Sequence, residues 1–136
     1  MRIIICVDDN GGMLFNSRRQ SRDRALIADV MSRLGDKKIY ISDFSRLLFE
    51  AYEDGYVINN DIPKGLKRED VCFVENIDVK PYIDSIDEIT VYRWNRLYPN
   101  DFSFDIDLQE EGFALRSSCD FEGYSHEKIT REVYER

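Results

Sequence analysis

The chain predicts an α/β fold, a mixed and mostly parallel sheet with helices packed on it, from three observations. The first is the opening run Arg2–Val7, "RIIICV", which is continuously apolar and closed by Asp8-Asp9. That is the pattern of a central strand covered on both faces. The second is the alternation that follows, in which two stretches with helical spacing separate three short strand-like stretches. The third is a pair of extended segments, "GFALRSSCDF" and "KITREVYER", joined by the loop around Gly123. They read as a C-terminal antiparallel hairpin. Parallel strands need crossover connections, and the two helical stretches can supply them.

Each element has its own signal. Asn10-Gly11-Gly12 opens a loop, inside which Met13-Leu14-Phe15 is an apolar island expected to pack back on the body. Ser21 can cap a helix, and Leu26, Ile27, Val30, Met31 and Leu34 fall on one face of it. Gly35 supplies a left-handed stop, with Lys37 and Lys38 just beyond. Residues 38–42, "KIYIS", form a second strand. Asp43 can cap a second helix with Phe44, Leu47, Leu48, Ala51 and Tyr52 on one face, ending at Asp54-Gly55. Residues 56–59 are a third strand, 61–70 a polar loop and 71–74 a short buried strand. Pro81 is tolerable in the first turn of a short helix. "EITVYRWN" alternates as another strand, and "YPNDFSFDIDL" is an extended connection.

A length of 136 residues suits a single domain spanning 1–136. Apolar residues at 43% and charged residues at 34% permit an ordinary core. A net charge of -8 and a pI of about 4.7 argue against a general nucleic-acid or anionic-membrane binder. Cys6, Cys72 and Cys119 are far apart and odd in number, which suggests a reducing cytoplasm without a disulfide framework. No apolar run is long enough for a signal-peptide core or a membrane span. His126 is the one histidine, so a multi-histidine metal centre is excluded within the chain. There is no phosphate-binding G-x-x-x-x-G-K-[ST] loop.

The order of these segments resembles dihydrofolate reductase. "IIICVDDNGGMLFN" is similar to that family's first strand and active-site loop. "KIYISDFS" lies where the family has a strand and a "G-R-x-T" turn. "IDSIDEITVYRWNRLYPNDFSFDIDL" resembles its "aDelylTri…f.gDtfFP.id", and "ITREVYER" its closing strand. The resemblance covers both ends of the chain and implies a three-layer fold with a mixed sheet and a C-terminal hairpin. It also implies a reduced cofactor subdomain, because the stretch before "VCFV" is short.

The departures fall on the cofactor side. Where the family has the glycine and arginine of "G-R-x-T", this chain has Ser42 and Asp43, and an acid there repels a nucleotide phosphate. Where the family has a Gly-Gly pair that lets backbone approach a pyrophosphate, this chain has Glu75-Asn76. The resemblance therefore implies a scaffold that has lost NADPH-dependent hydride chemistry, and no cofactor is expected. On the substrate side the family uses a carboxylate near the start of its first helix. Asp23 is the nearest acid and shares a face with Leu26, Ile27 and Val30, which makes it a candidate acid or base on a pterin- or nucleotide-like substrate. Length-matching from the loop puts Ala25 at that position instead, and leaves Asp23 as an acid that complements the helix dipole.

The remaining candidates concern charge and aromatic residues. Arg18, Arg19, Arg22 and Arg24 surround the expected helix start, where free N–H groups and guanidinium groups could hold an anionic small molecule or an acidic protein surface. Asp8 and Phe15 complete the candidate ligand-binding set. The alternative is a solvated face neutralised by Asp8, Asp9 and Asp23. Asp8, Asp9, Asp101, Asp105 and Asp107 fit no metal-loop spacing, and no metal is expected. Cys72 inside a strand suits inert packing better than a pairing with His126. Tyr92 and Trp94 share a strand face, either as a base-stacking platform with Arg93 and Arg96 or as core.

Overall fold

The computed structural model describes residues 1–136, and three layers form around one sheet. The strands are β1 (Arg2–Val7), β2 (Gly12–Phe15), β3 (Arg18–Arg19), β4 (Ile39–Ile41), β5 (Tyr56–Ile58), β6 (Val71–Phe73), β7 (Glu88–Arg93), β8 (Phe102–Ser103), β9 (Ala114–Phe121) and β10 (Ile129–Glu135). One α-helix, α1, spans Arg24–Leu34, and 3-10 helices span Asp43–Gly55 and Lys80–Ser85. The main sheet has the order β5-β4-β6-β1-β7-β10-β9. β1 lies at its centre, parallel to β6 and β7, and β10 runs antiparallel to β7 and β9.

The continuous apolar run of β1 has the expected cause. Successive side chains point to opposite faces, so Ile3, Ile5 and Val7 enter one core and Ile4 the other. The first core is closed by Ile62, Ile106 and Phe113 from loops and by Val79 and Ile86, which flank the second 3-10 helix. The second core is closed by Leu26, Ile27 and Val30 of α1 and by Phe49. An anchor fixes α1 to the sheet. Asp29 accepts hydrogen bonds from Tyr92 Oη at 2.6 Å and from Arg131 Nη1 at 2.7 Å.

Several expectations need correction. The cap of α1 is Asp23 rather than Ser21, so the helix starts later. The stretch after Ser42 is a 13-residue 3-10 run with non-helical backbone at Tyr52, and the side chain of neither Ser42 nor Asp43 caps it. Its inward face is shifted by a residue: Ser45 and Phe49 are buried, whereas Leu47 and Ala51 are exposed. The apolar island Met13-Leu14-Phe15 belongs to a strand, because Asn16 (φ 52°) and Ser17 (φ 61°) turn the chain tightly into β3. Two residues with positive φ make the tight hairpin turn that matches strand twist. β8, inside the expected extended connection, adds the third strand of this small sheet.

Candidate functional site

The cleft implied by the resemblance lies between α1 and the ends of β1 and β6, with Trp94, just past β7, completing its lining. At its helix side is Asp23, in the extended conformation of an N-cap, with φ -154° and ψ 123°. Asp23 Oδ1 accepts from the backbone N–H of Ala25 at 2.9 Å and of Tyr124 at 2.8 Å. Asp23 Oδ2 accepts from the N–H of Ser125 at 2.8 Å and from Ser125 Oγ at 3.2 Å, and lies 2.9 Å from His126 Nδ1. Burial alone pushes the carboxyl upward. The hydrogen bonds from His126, Tyr124, Ser125 and Ala25 overcome it and hold the group well below the usual carboxylate range.

The same contacts fix His126, which is buried. Its ring stacks on Trp94 with centroids 4.7 Å apart and planes 26° apart. Nε2 lies 3.1 Å from Ser21 Oγ and 2.9 Å from Tyr98 Oη. With Nδ1–H donated to the carboxylate, Nε2 carries one lone pair, which the Ser21 and Tyr98 hydroxyls share, the Tyr98 contact being the shorter. Gly123 allows this loop to approach. A Cβ there would come within 2.7 Å of the His126 carbonyl oxygen and 2.8 Å of Asp23 Oδ2.

Across the cleft, Arg19 faces inward from β3 while its neighbour Arg18 faces solvent, as strand alternation requires. Arg19 forks onto Glu75, with Nε to Oε1 at 2.9 Å and Nη2 to Oε2 at 3.0 Å, and also donates to the Phe44 carbonyl at 2.8 Å. Ser45 Oγ donates to Glu75 Oε2 at 2.7 Å. The bidentate pair is charge-assisted and geometrically specific, and its hydrogen bonds raise the pKa of the guanidinium. Beside it, burial and then the Glu75 charge push the Cys6 thiol well above its ordinary range. Between α1 and the sheet these groups leave a cavity of about 20 Å³, enough for about one water molecule.

The other arginines are placed differently. Arg22 and Arg24 are exposed and line an open groove of about 960 Å³ between α1, the 3-10 run and the loop 122–125. Ile27, Leu48, Ala51 and Tyr52 give this groove an apolar wall. The Arg24 guanidinium lies 3.9 Å from the centre of the Tyr124 ring. Arg18 and Phe15 are exposed on the small sheet and line neither space. Asp8 is buried and committed to its own loop, accepting from the N–H of Asn10, Gly12 and Tyr98 and from Gln20 Nε2. The helix start is likewise occupied by its own chain, since Ala25, Leu26 and Ile27 donate to Asp23.

The other candidates resolve into packing and turns. Tyr92 and Trp94 are both buried, so the base-stacking platform is absent and the core alternative holds. Cys72 is buried in β6, with its thiol pushed up to about 12 mainly by desolvation. His126 partners Asp23, Ser21 and Tyr98 instead. Asp101 and Asp107 each accept from a backbone N–H of a different turn, and Asp105 accepts from those of Val79 and Lys80. Asp43 is exposed, 3.3 Å from Arg46. No helix is long and apolar enough to cross a membrane.

No family model matches the chain, and no curated protein matches it in sequence. Among solved structures, dihydrofolate reductase from Enterococcus faecalis, complexed with NADP(H) and RAB-propyl, aligns over 99% of this chain and 95% of its own, with a TM-score of 0.66. The chain has a dihydrofolate reductase-like fold. Sequence identity to that reductase is 11%, so the likeness is one of fold. On this dihydrofolate reductase-like scaffold the sequence pointed to Asp23 and the arginines, offered Ser21 only as a helix cap and His126 only as a partner for Cys72, and joined neither to Asp23. A lone histidine after a glycine turn carries no spacing signal, and Ser21 and Asp23 lie more than a hundred residues from it.

Because Asp23 is held below its unfolded value, its stabilisation is complete above about pH 3.9 and fades as pH falls toward the lower folded value. Asp23→Asn should therefore unfold at lower urea than the parent at pH 7, and the gap should narrow by pH 3.

Proposed function

We propose that this chain is a binding protein on a dihydrofolate reductase-like scaffold without NADPH-dependent reductase activity. The observation that carries this reading is the Arg19–Glu75 pair. Glu75 stands where the resembling family has the first glycine of its cofactor-binding pair. Its carboxylate is held by Arg19 and Ser45 rather than being free to swing aside. A dinucleotide phosphate would meet the fixed Arg19–Glu75 side-chain pair at the point where free backbone N–H groups are needed. The cavity beside the pair, at about 20 Å³, is too small for a pterin or nicotinamide ring.

The ligand we propose is an anionic small molecule with an apolar body, held in the open groove at the start of α1. Arg22 and Arg24 supply the charge, and Ile27, Leu48, Ala51 and Tyr52 supply the apolar wall. Arg19 has no part in it, being spent on Glu75. Asp23 serves as a structural cap rather than as a proton donor, since both its oxygens already accept hydrogen bonds from the chain. A cytoplasmic setting fits the three free cysteines.

NADPH titrated into the protein should neither raise its melting temperature nor change nicotinamide fluorescence; saturable micromolar binding would overturn the loss of the cofactor site. For the groove, a panel of aryl phosphates and aromatic carboxylates should yield binders. Their affinity should fall about 10–100-fold in Arg22→Gln and Arg24→Gln, the cost of one charged hydrogen bond, and hold in Arg18→Gln. Binding only to an acidic protein surface, and to none of the panel, would make the ligand macromolecular.

A further inference from the structure

We propose that Ser21, His126 and Asp23 form a nucleophilic serine centre that hydrolyses carboxylic esters with an apolar acyl group. The inference goes beyond ligand binding and rests on a different observation. A single imidazole bridges a hydroxyl and a buried carboxylate, with Ser21 Oγ to His126 Nε2 at 3.1 Å and His126 Nδ1 to Asp23 Oδ2 at 2.9 Å. A nucleophile within reach of a base, itself oriented by a third group, is the arrangement that activates serine on unrelated folds.

The arrangement is fixed on the side of the base, and the nucleophile is partly exposed. Three backbone N–H groups hold the Asp23 carboxylate, and Trp94 stacks against the imidazole. His126 and Asp23 are buried, whereas Ser21 is partly exposed. The Tyr98 hydroxyl, 2.9 Å from Nε2, holds the ring from the same side as Ser21.

The surroundings define the substrate class. The small cavity that Ser21 lines shares Arg22, Asp23, Ile27 and Leu48 with the open groove. At about 20 Å³ that cavity holds no acyl chain, so the acyl group would extend from Ser21 past the shared residues into the groove, against Ile27, Leu48, Ala51 and Tyr52. Arg22 lines both spaces and supplies positive charge for an oxyanion.

In the reaction, Ser21 Oγ bonds to the acyl carbon while its proton passes to His126 Nε2. The tetrahedral oxyanion collapses, the ester C–O bond breaks, and the alcohol leaves with the proton from Nε2. Water then adds to the acyl carbon, giving a proton to Nε2. Collapse releases the carboxylic acid and returns that proton to Ser21 Oγ. Ser21 and His126 are the catalytic residues. Asp23 is a positioning residue that keeps the proton on Nδ1 and the lone pair on Nε2.

The test treats the full chain with a fluorophosphonate probe, maps the labelled peptide and follows p-nitrophenyl butyrate hydrolysis. The parent should label at Ser21, and Ser21→Ala should lose both label and hydrolysis by about a hundredfold or more while keeping its urea midpoint. Asp23→Asn, where folded, should lower kcat with KM unchanged. Ser21→Ala loses only one hydroxyl of a partly exposed residue, so it decides the matter even if the Asp23 variant fails to fold. Absence of label on the folded parent, or label and hydrolysis that persist in Ser21→Ala, would overturn the proposal.

Discussion

The structure depends on one buried carboxylate. A charged group taken from water must be paired and hydrogen-bonded or it destabilises the fold. Asp23 meets that demand with partners from two distant stretches: the start of α1 and the loop between β9 and β10. The carboxylate therefore joins the helix to the C-terminal hairpin. In doing so it brings His126 onto Trp94 and closes one side of the cleft. Removing one partner leaves the rest buried and unpaired, which is why such a network either holds as a unit or fails.

The opposite side of the cleft is closed by a second solution of the same problem. Glu75 follows a fully buried strand, where a glycine would leave backbone accessible. Its charge is met by the fork of Arg19, with Ser45 and the Phe44 carbonyl completing the cluster. Losing either member of a partly buried pair strands a charge. Neither side chain is then free for an outside ligand, and the open groove at Arg22 and Arg24 is left as the accessible space.

The sheet was legible because its signals are local. The continuous apolar run of β1 and the glycine after Leu34 each reflect burial or backbone geometry at those residues, whereas β7, read as alternating, is buried on both faces from Ile89 to Tyr92. The order of segments carried the family likeness. The stretch after Ser42 was misread in detail because helical and 3-10 spacing differ by a fraction of a residue per turn, enough to exchange Leu47 and Ala51 for Ser45 and Phe49. At the site, Glu75-Asn76 was legible only as a departure from the resembling family's Gly-Gly pair. That Arg19 would hold Glu75 depended on a tight turn at Asn16-Ser17, which pattern alone did not reveal. The association of Asp23 with His126 is long-range and leaves no trace in either neighbourhood.

The most direct measure of the Asp23 network is amide hydrogen exchange at Tyr124 and Ser125. Both residues sit in an exposed loop, yet their N–H groups are donated to the buried carboxylate. Both amides should exchange with protection comparable to that of the paired strands β7 and β10, and lose it in Asp23→Ala while those strands stay protected. Rapid exchange of both amides in the parent would show a carboxylate free to face the cleft, and would contradict the account.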